Sequence, residues 1–187
     1  MRVFIAIELP DKIKKELALI QGRMKPTPNK IKWVEPSSLH ITLKFLGEIK
    51  EEILQNVFRT VEEVAAEFLP FYIEIKGAGT FPDNSNPRVI WMGIEEGASQ
   101  LSLLVRQLEE KLSREGFPPE KRKWVPHLTL GRVKHLRDRE DMKKIINQEQ
   151  ETSGGRVKVE KITVMQSRLT PQGAIYTPLQ CFSLKGG

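Results

Sequence analysis

The sequence predicts an α+β fold: two similar lobes built by duplication, two antiparallel sheets with helices on the outside, and a cleft between the lobes. Two observations predict it. Strand-like and helix-like stretches follow one another in a similar order in each half of the 187 residues, with no low-complexity stretch or flexible linker between the halves. The tetrapeptide His-x-Thr-Leu then occurs at comparable places in both halves, at residues 40–43 and 127–130, each time a few residues after Lys-Trp-Val. Residues 1–187 are accordingly read as a single bilobal domain.

The elements follow in order. "RVFIAIEL" (2–9) is a short apolar run rich in β-branched and aromatic residues, closed by Pro10, and reads as a buried strand. "DKIKKELALIQGRM" (11–24) carries Ile13, Leu17 and Ile20 at helical spacing behind an aspartate, so it reads as a helix. Two prolines make "KPTPNK" a loop. "IKWVE" is a candidate short strand, and "LHITLKFLG" (39–47) is a longer one. Ile53, Val57, Val61 and Val64 mark a helix over 51–68, bounded by Pro70. Two strands, "FYIEIKGAGTF" and "RVIWMGI", flank the turn "PDNSNP". The amphipathic stretch 98–116 ends on a glycine, a helix stop. "HLTLGRV" is a strand, "DREDMKKIINQ" a short helix, "RVKVEKITVMQSRL" an alternating strand segment, and "AIYTPLQCFSL" the last strand.

Composition narrows the setting. Lys and Arg exceed Asp and Glu by 30 to 24, an excess that suits an anionic partner such as nucleic acid and equally a charge-rich surface. One cysteine, Cys181, excludes an internal disulfide and points to a reducing compartment. The apolar runs are too short to cross a bilayer and the chain opens without a leader pattern, so the expectation is a cytoplasmic protein with no membrane association. Nothing in the sequence implies an obligate protein partner.

The paired motif carries the chemistry. Alternation along a strand puts His40, Thr42 and Lys44 on one face and Ile41, Leu43 and Phe45 on the other. It likewise joins His127 to Thr129, opposite Leu128 and Leu130. Packing does not select polar residues for one face. Lobes related by a pseudo-twofold axis would bring two imidazoles and two hydroxyls to one small object. In-line displacement at phosphorus needs a base on the attacking oxygen and an acid on the departing one, and imidazole serves as either near neutral pH. Threonine hydroxyls can donate to the non-bridging oxygens, where charge grows. No histidine–carboxylate cluster with metal-ligand spacing accompanies them, so neither metal nor cofactor is expected. The residues leave open which histidine is acid and which is base, because the two motifs are nearly symmetric.

At these residues the chain resembles the 2H phosphoesterase superfamily, and more narrowly the RNA 2′,3′-cyclic phosphodiesterases, also called 2′-5′ RNA ligases. The resemblance runs through "RVFIAIELP", "LHITLKFLGEI", "PRVIWMGI", "PHLTLGR" and "SRLTPQGAIYTPL". It implies metal-independent hydrolysis of a 2′,3′-cyclic phosphate at an RNA 3′ end to a 2′-phosphomonoester, with 2′-5′ ligation as an associated activity. His40 is then the proton donor to the departing 3′ oxygen and His127 the proton acceptor that activates water. Thr42 and Thr129 would hold the phosphate, joined by Arg132 if a bulge at Gly131 turns it to their face. Phe4 and Tyr176 are candidates for stacking on a base, with core packing as the alternative for both; Ser167 is a candidate polar contact. Two other readings remain: a phosphodiesterase of small cyclic nucleotide-type phosphates, and a module that binds RNA ends without turnover.

Overall fold

A computed structural model describes residues 1–186. β1 (Arg2–Glu8), β3 (His40–Glu48), β8 (Lys161–Thr170) and β9 (Gly173–Ser183) form an antiparallel sheet in the order β3-β1-β8-β9. β2 (Lys30–Trp33), β4 (Phe71–Phe81), β5 (Val89–Ile94), β6 (His127–His135) and β7 (Ser153–Val159) form a second one, ordered β2-β6-β5-β4-β7. Helices α1 (Asp11–Met24) and α4 (Arg139–Gln148) pack on the five-stranded sheet, against β7 and β4. α2 (Leu54–Ala65) lies on β8 and β9, and α3 (Ala98–Arg114) packs against α2 and β3.

Burial explains the elements. In α1 the residues Ile13, Leu17, Ile20 and Met24 recur at three- and four-residue intervals and are all buried, so one helical stripe meets the core. The central strand β1 is buried on both faces from Val3 to Ile7. One face joins the hydrophobic cluster that runs through both lobes, whereas Phe4 and Ala6 pack with Met165 in a separate small cluster on the other face, the one that holds the cleft.

Three expectations on the elements are corrected. The halves of the chain are not the lobes: β8 and β9 complete the sheet begun by β1 and β3, while β2 joins the opposite sheet beside β6. The alternating stretch 156–169 is two strands in two sheets, breaking at Glu160. The one mark of the break is the pair Glu160-Lys161, where two polar residues in a row shift the apolar positions from Val157 and Val159 to Ile162 and Val164. The helix expected over 51–68 is a 3-10 turn at Glu51–Ile53 followed by α2, which stops at Ala65.

Candidate active site

β3 and β6 share one burial pattern along nine residues, and they share a defect. Ala6 pairs with Thr42 but Ile5 with Lys44, so Leu43 is an extra residue in β3. Trp91 pairs with Thr129 but Ile90 with Gly131, so Leu130 is the extra residue in β6. A bulge resets which face the following residues take. Phe45 and Arg132 therefore join the histidines and threonines on the cleft face, while Lys44 and Gly131 turn to the core. The shared face expected for His40, Thr42 and Lys44 ends at Thr42. Lys44 is only 3% exposed, and its Nζ donates to Glu109 Oε2 at 2.8 Å and to the Pro118 carbonyl at 3.2 Å. At 131 only glycine fits, because a Cβ would stand 2.9 Å from Ile31 Cγ2 and 3.0 Å from Trp33 Cε3. Gln21, buried on α1, pins this second bulge: its Nε2 donates to the carbonyls of Leu130 (3.0 Å) and Val34 (2.8 Å).

The two histidines are oriented alike. Nδ1 of His40 lies 2.7 Å from the Ser38 carbonyl, and Nδ1 of His127 lies 2.6 Å from the Val125 carbonyl. A carbonyl only accepts, so each Nδ1 carries the hydrogen and each neutral ring offers Nε2 as the lone pair. The Thr42 hydroxyl donates to His40 Nε2 at 2.9 Å. His127 makes no second hydrogen bond among the described residues, which leaves its Nε2 unengaged. Aromatic rings brace both imidazoles: Phe4 at 5.0 Å and Tyr176 at 5.1 Å from His40, Phe81 at 4.9 Å and Trp91 at 6.4 Å from His127. β3 and β6 approach each other across the two sheets.

Burial holds both imidazoles below the usual histidine range. At His40 the Ser38 carbonyl works against burial, Lys14 adds to it and Glu8 opposes it. At His127 the Val125 carbonyl opposes burial and Arg132 reinforces it. Both rings are thus neutral at pH 7 in the free protein.

The remaining expected residues fall as follows. Thr42 and Thr129 are half-buried beside their histidines, and Arg132 is exposed on the cleft face. Tyr176 is half-buried and stands opposite Ser167. Phe4 is packed: at 2% exposure, with the rings of His40, Phe45 and Tyr176 around it, it has no face to offer a base and instead supports His40. The aromatic ring that is open on this face is Phe45, 54% exposed. Parity had placed Phe45 in the core, and only the bulge reveals it. Glu8 also escaped notice. It pairs with His40 in the ladder and its Oε2 accepts from Thr163 Oγ1 at 2.8 Å, which fixes a carboxylate near the imidazole. On the other sheet Trp91 lies across Gly79, where a Cβ would collide with the indole. Among the described residues no group of three or more His, Cys, Asp or Glu side chains could hold a metal ion, and no helix is long and apolar enough to cross a membrane.

Two motif strands of this kind, facing each other from two sheets, define a phosphoesterase of the two-histidine class. The model of the LigT-like phosphoesterases matches the chain twice, over residues 7–91 and 93–176, and the chain belongs to that family. It is 38% identical over 184 residues to the RNA 2′,3′-cyclic phosphodiesterase of Methanothermobacter thermautotrophicus, covering 98% of this chain and 99% of that one. It is 39% identical over 176 residues to the protein of the same name from Methanocaldococcus jannaschii, covering 94% and 96%. Among solved structures, TT0787 of Thermus thermophilus superposes with a TM-score of 0.83 at 30% identity, covering 100% of this chain and 99% of that one.

Proposed function

We propose that this protein hydrolyses the 2′,3′-cyclic phosphate at the 3′ end of RNA to a 2′-phosphomonoester. His40 takes up a proton at Nε2 when the phosphate anion binds; water then attacks phosphorus while His127 Nε2 takes its proton, and the bond from phosphorus to the 3′ oxygen breaks as the His40 imidazolium gives that oxygen its Nε2 proton. Thr42 and Thr129 donate to the non-bridging oxygens, and Arg132 adds positive charge beside them. A 5′-hydroxyl in the place of water would give a 2′-5′ diester by the same steps.

The observation that carries this reading is the matched pair of half-buried His-x-Thr strands, each with Nδ1 committed to a carbonyl, and with Nε2 bonded to Thr42 at His40 and unengaged at His127. The difference between them supports the division of labour. His127 has an unengaged Nε2, and burial, reinforced by the cationic Arg132, keeps it neutral, as a base requires. Burial holds His40 neutral in the free protein, with Glu8 a smaller influence toward the protonated form. A bound phosphate's negative charge acts in the same direction as Glu8. The names of the relatives support RNA as the substrate.

The test is an RNA ending in a 2′,3′-cyclic phosphate, incubated with the protein in EDTA, with the product phosphate located. Wild type is expected to leave a 2′-phosphate. His40→Ala and His127→Ala should each lose about a hundred- to ten-thousand-fold in rate while keeping the native circular dichroism. A 3′-phosphate product, or full activity in either variant, would overturn the assignment.

A further inference from the structure

Lys32 on β2 and Arg132 on β6 stand directly opposite one another in the ladder of the five-stranded sheet. Both are exposed, and neither is in an ion pair among the described residues. Like charges directly opposed across a ladder destabilise it. β2 is an edge strand, and a lysine on an edge strand has a use of its own in repelling a second chain. That use does not call for an arginine against it. Nor does it call for the cleft face, to which the bulge at Leu130 turns Arg132 and therefore its partner Lys32. Ile31 and Trp33, on either side of Lys32, face the core as the pairs of Val133 and Gly131.

The pair is continuous with the active site without coinciding with it. Arg132 is near enough to His127 for its charge to act on that imidazole. Along β5, Arg132 pairs with Val89 and Thr129 with Trp91, two residues apart, a step of about 7 Å in an antiparallel strand. Lys32 lies one strand further out, by about 4.8 Å. That offset is of the order of the reach from one phosphate to the next along a nucleic-acid strand. A phosphate held at Thr129 and the next one along the strand would thus lie on either side of Arg132, and Lys32 would face only the outer one.

We propose that Lys32, with Arg132, forms a second anion subsite that takes the phosphate on the 5′ side of the terminal nucleotide, so that the RNA leaves the cleft across β6 and over the edge strand β2. The inference rests on the RNA-end reading and deepens it. The site selects a strand over an isolated nucleoside cyclic phosphate because only the strand carries the outer phosphate.

Three substrates test this: a nucleoside 2′,3′-cyclic phosphate, the same compound carrying a 5′-phosphate, and an oligoribonucleotide ending in it. For wild type, kcat/KM should rise about tenfold when the 5′-phosphate is added and stay high for the oligonucleotide. Lys32→Gln should remove most of that gain and leave the unphosphorylated nucleoside substrate unchanged. The slope of log kcat/KM against log salt on the oligonucleotide should become shallower by about 0.7, the effect of one phosphate contact on a single strand. The melting temperature should not fall, since the substitution relieves a repulsion. A wild type indifferent to the 5′-phosphate, or a Lys32→Gln variant that loses the same factor on all three substrates, overturns the inference and leaves the RNA-end reading standing. A wild type that turns over none of the three removes both.

Discussion

At His40 and His127 the Nδ1–H is committed to a backbone carbonyl, so any added proton arrives at Nε2, inside the cleft. Burial opposes that proton at both rings. NMR titration of the free protein should therefore place both midpoints below about 6.5, and inorganic phosphate should move them upward. Neutral histidines that resist protonation also link pH to folding. The unfolded chain takes up protons near pH 6.5 and the folded one only at lower pH, so stability from this source is full above about pH 6.5 and declines as pH falls toward the folded midpoints. Denaturant melts at pH 7 and pH 5 should show the decline, and replacing both histidines with asparagine should flatten it. The histidines and threonines were legible because the tetrapeptide repeats. The faces of Phe45 and Lys44 were not, because an extra residue at Leu43 inverts the two positions that follow it and leaves no mark on composition.

Between elements, an ion pair around the buried Lys44 joins the strand of His40 to α3 and to the segment that precedes β6. Lys44 on β3 donates to Glu109 on α3 and to the Pro118 carbonyl, while Glu109 Oε2 also accepts from the Glu120 backbone at 3.1 Å. The segment after Pro118 leads into β6, so the carboxylate ties the strand of His40 to the approach of His127. Glu109→Ala strands a buried ammonium and should lower stability by about 3 kcal/mol in denaturant melts. Adding Lys44→Met to it should restore part of that loss, since a thioether fills the space without an unpaired charge. At Gly79, substitution by alanine brings a Cβ into the Trp91 ring, and the indole has to leave its place beside His127. The variant's altered tryptophan fluorescence, with slower turnover, checks this. The helices were legible because each buries one stripe at helical spacing, as Leu101, Leu104, Val105, Leu108 and Leu112 do in α3. β2 was harder: four residues with every second one exposed give a period too short to weigh.

Across the whole molecule, the double match of the family model follows the halves of the sequence, whereas the sheets do not. The duplication was visible as a repeat of motifs. The exchange of strands between lobes was not, because pairing partners such as Phe4 and Met165 lie at opposite ends of the chain and no local pattern announces them. The strands of each lobe come from both halves, so a fragment ending near residue 95 lacks β8, one of the two partners of β1, and β6, which pairs with β2 and β5, and should give a spectrum short of native strand content, measured by circular dichroism.

The pairing of β1 with β8 also sets a timetable. As the chain emerges from the ribosome, every strand of the five-stranded sheet is available once Val159 has been made, and helices α1 and α4 with them. The strand that carries His40 was synthesised long before, yet its neighbour β1 waits for Lys161–Thr170, and Tyr176 comes later still. During synthesis the wall around His127 can close first, and the wall around His40 closes only with the final strands, so on the proposed mechanism a nascent or C-terminally clipped chain holds one histidine in place without the other and should show no turnover.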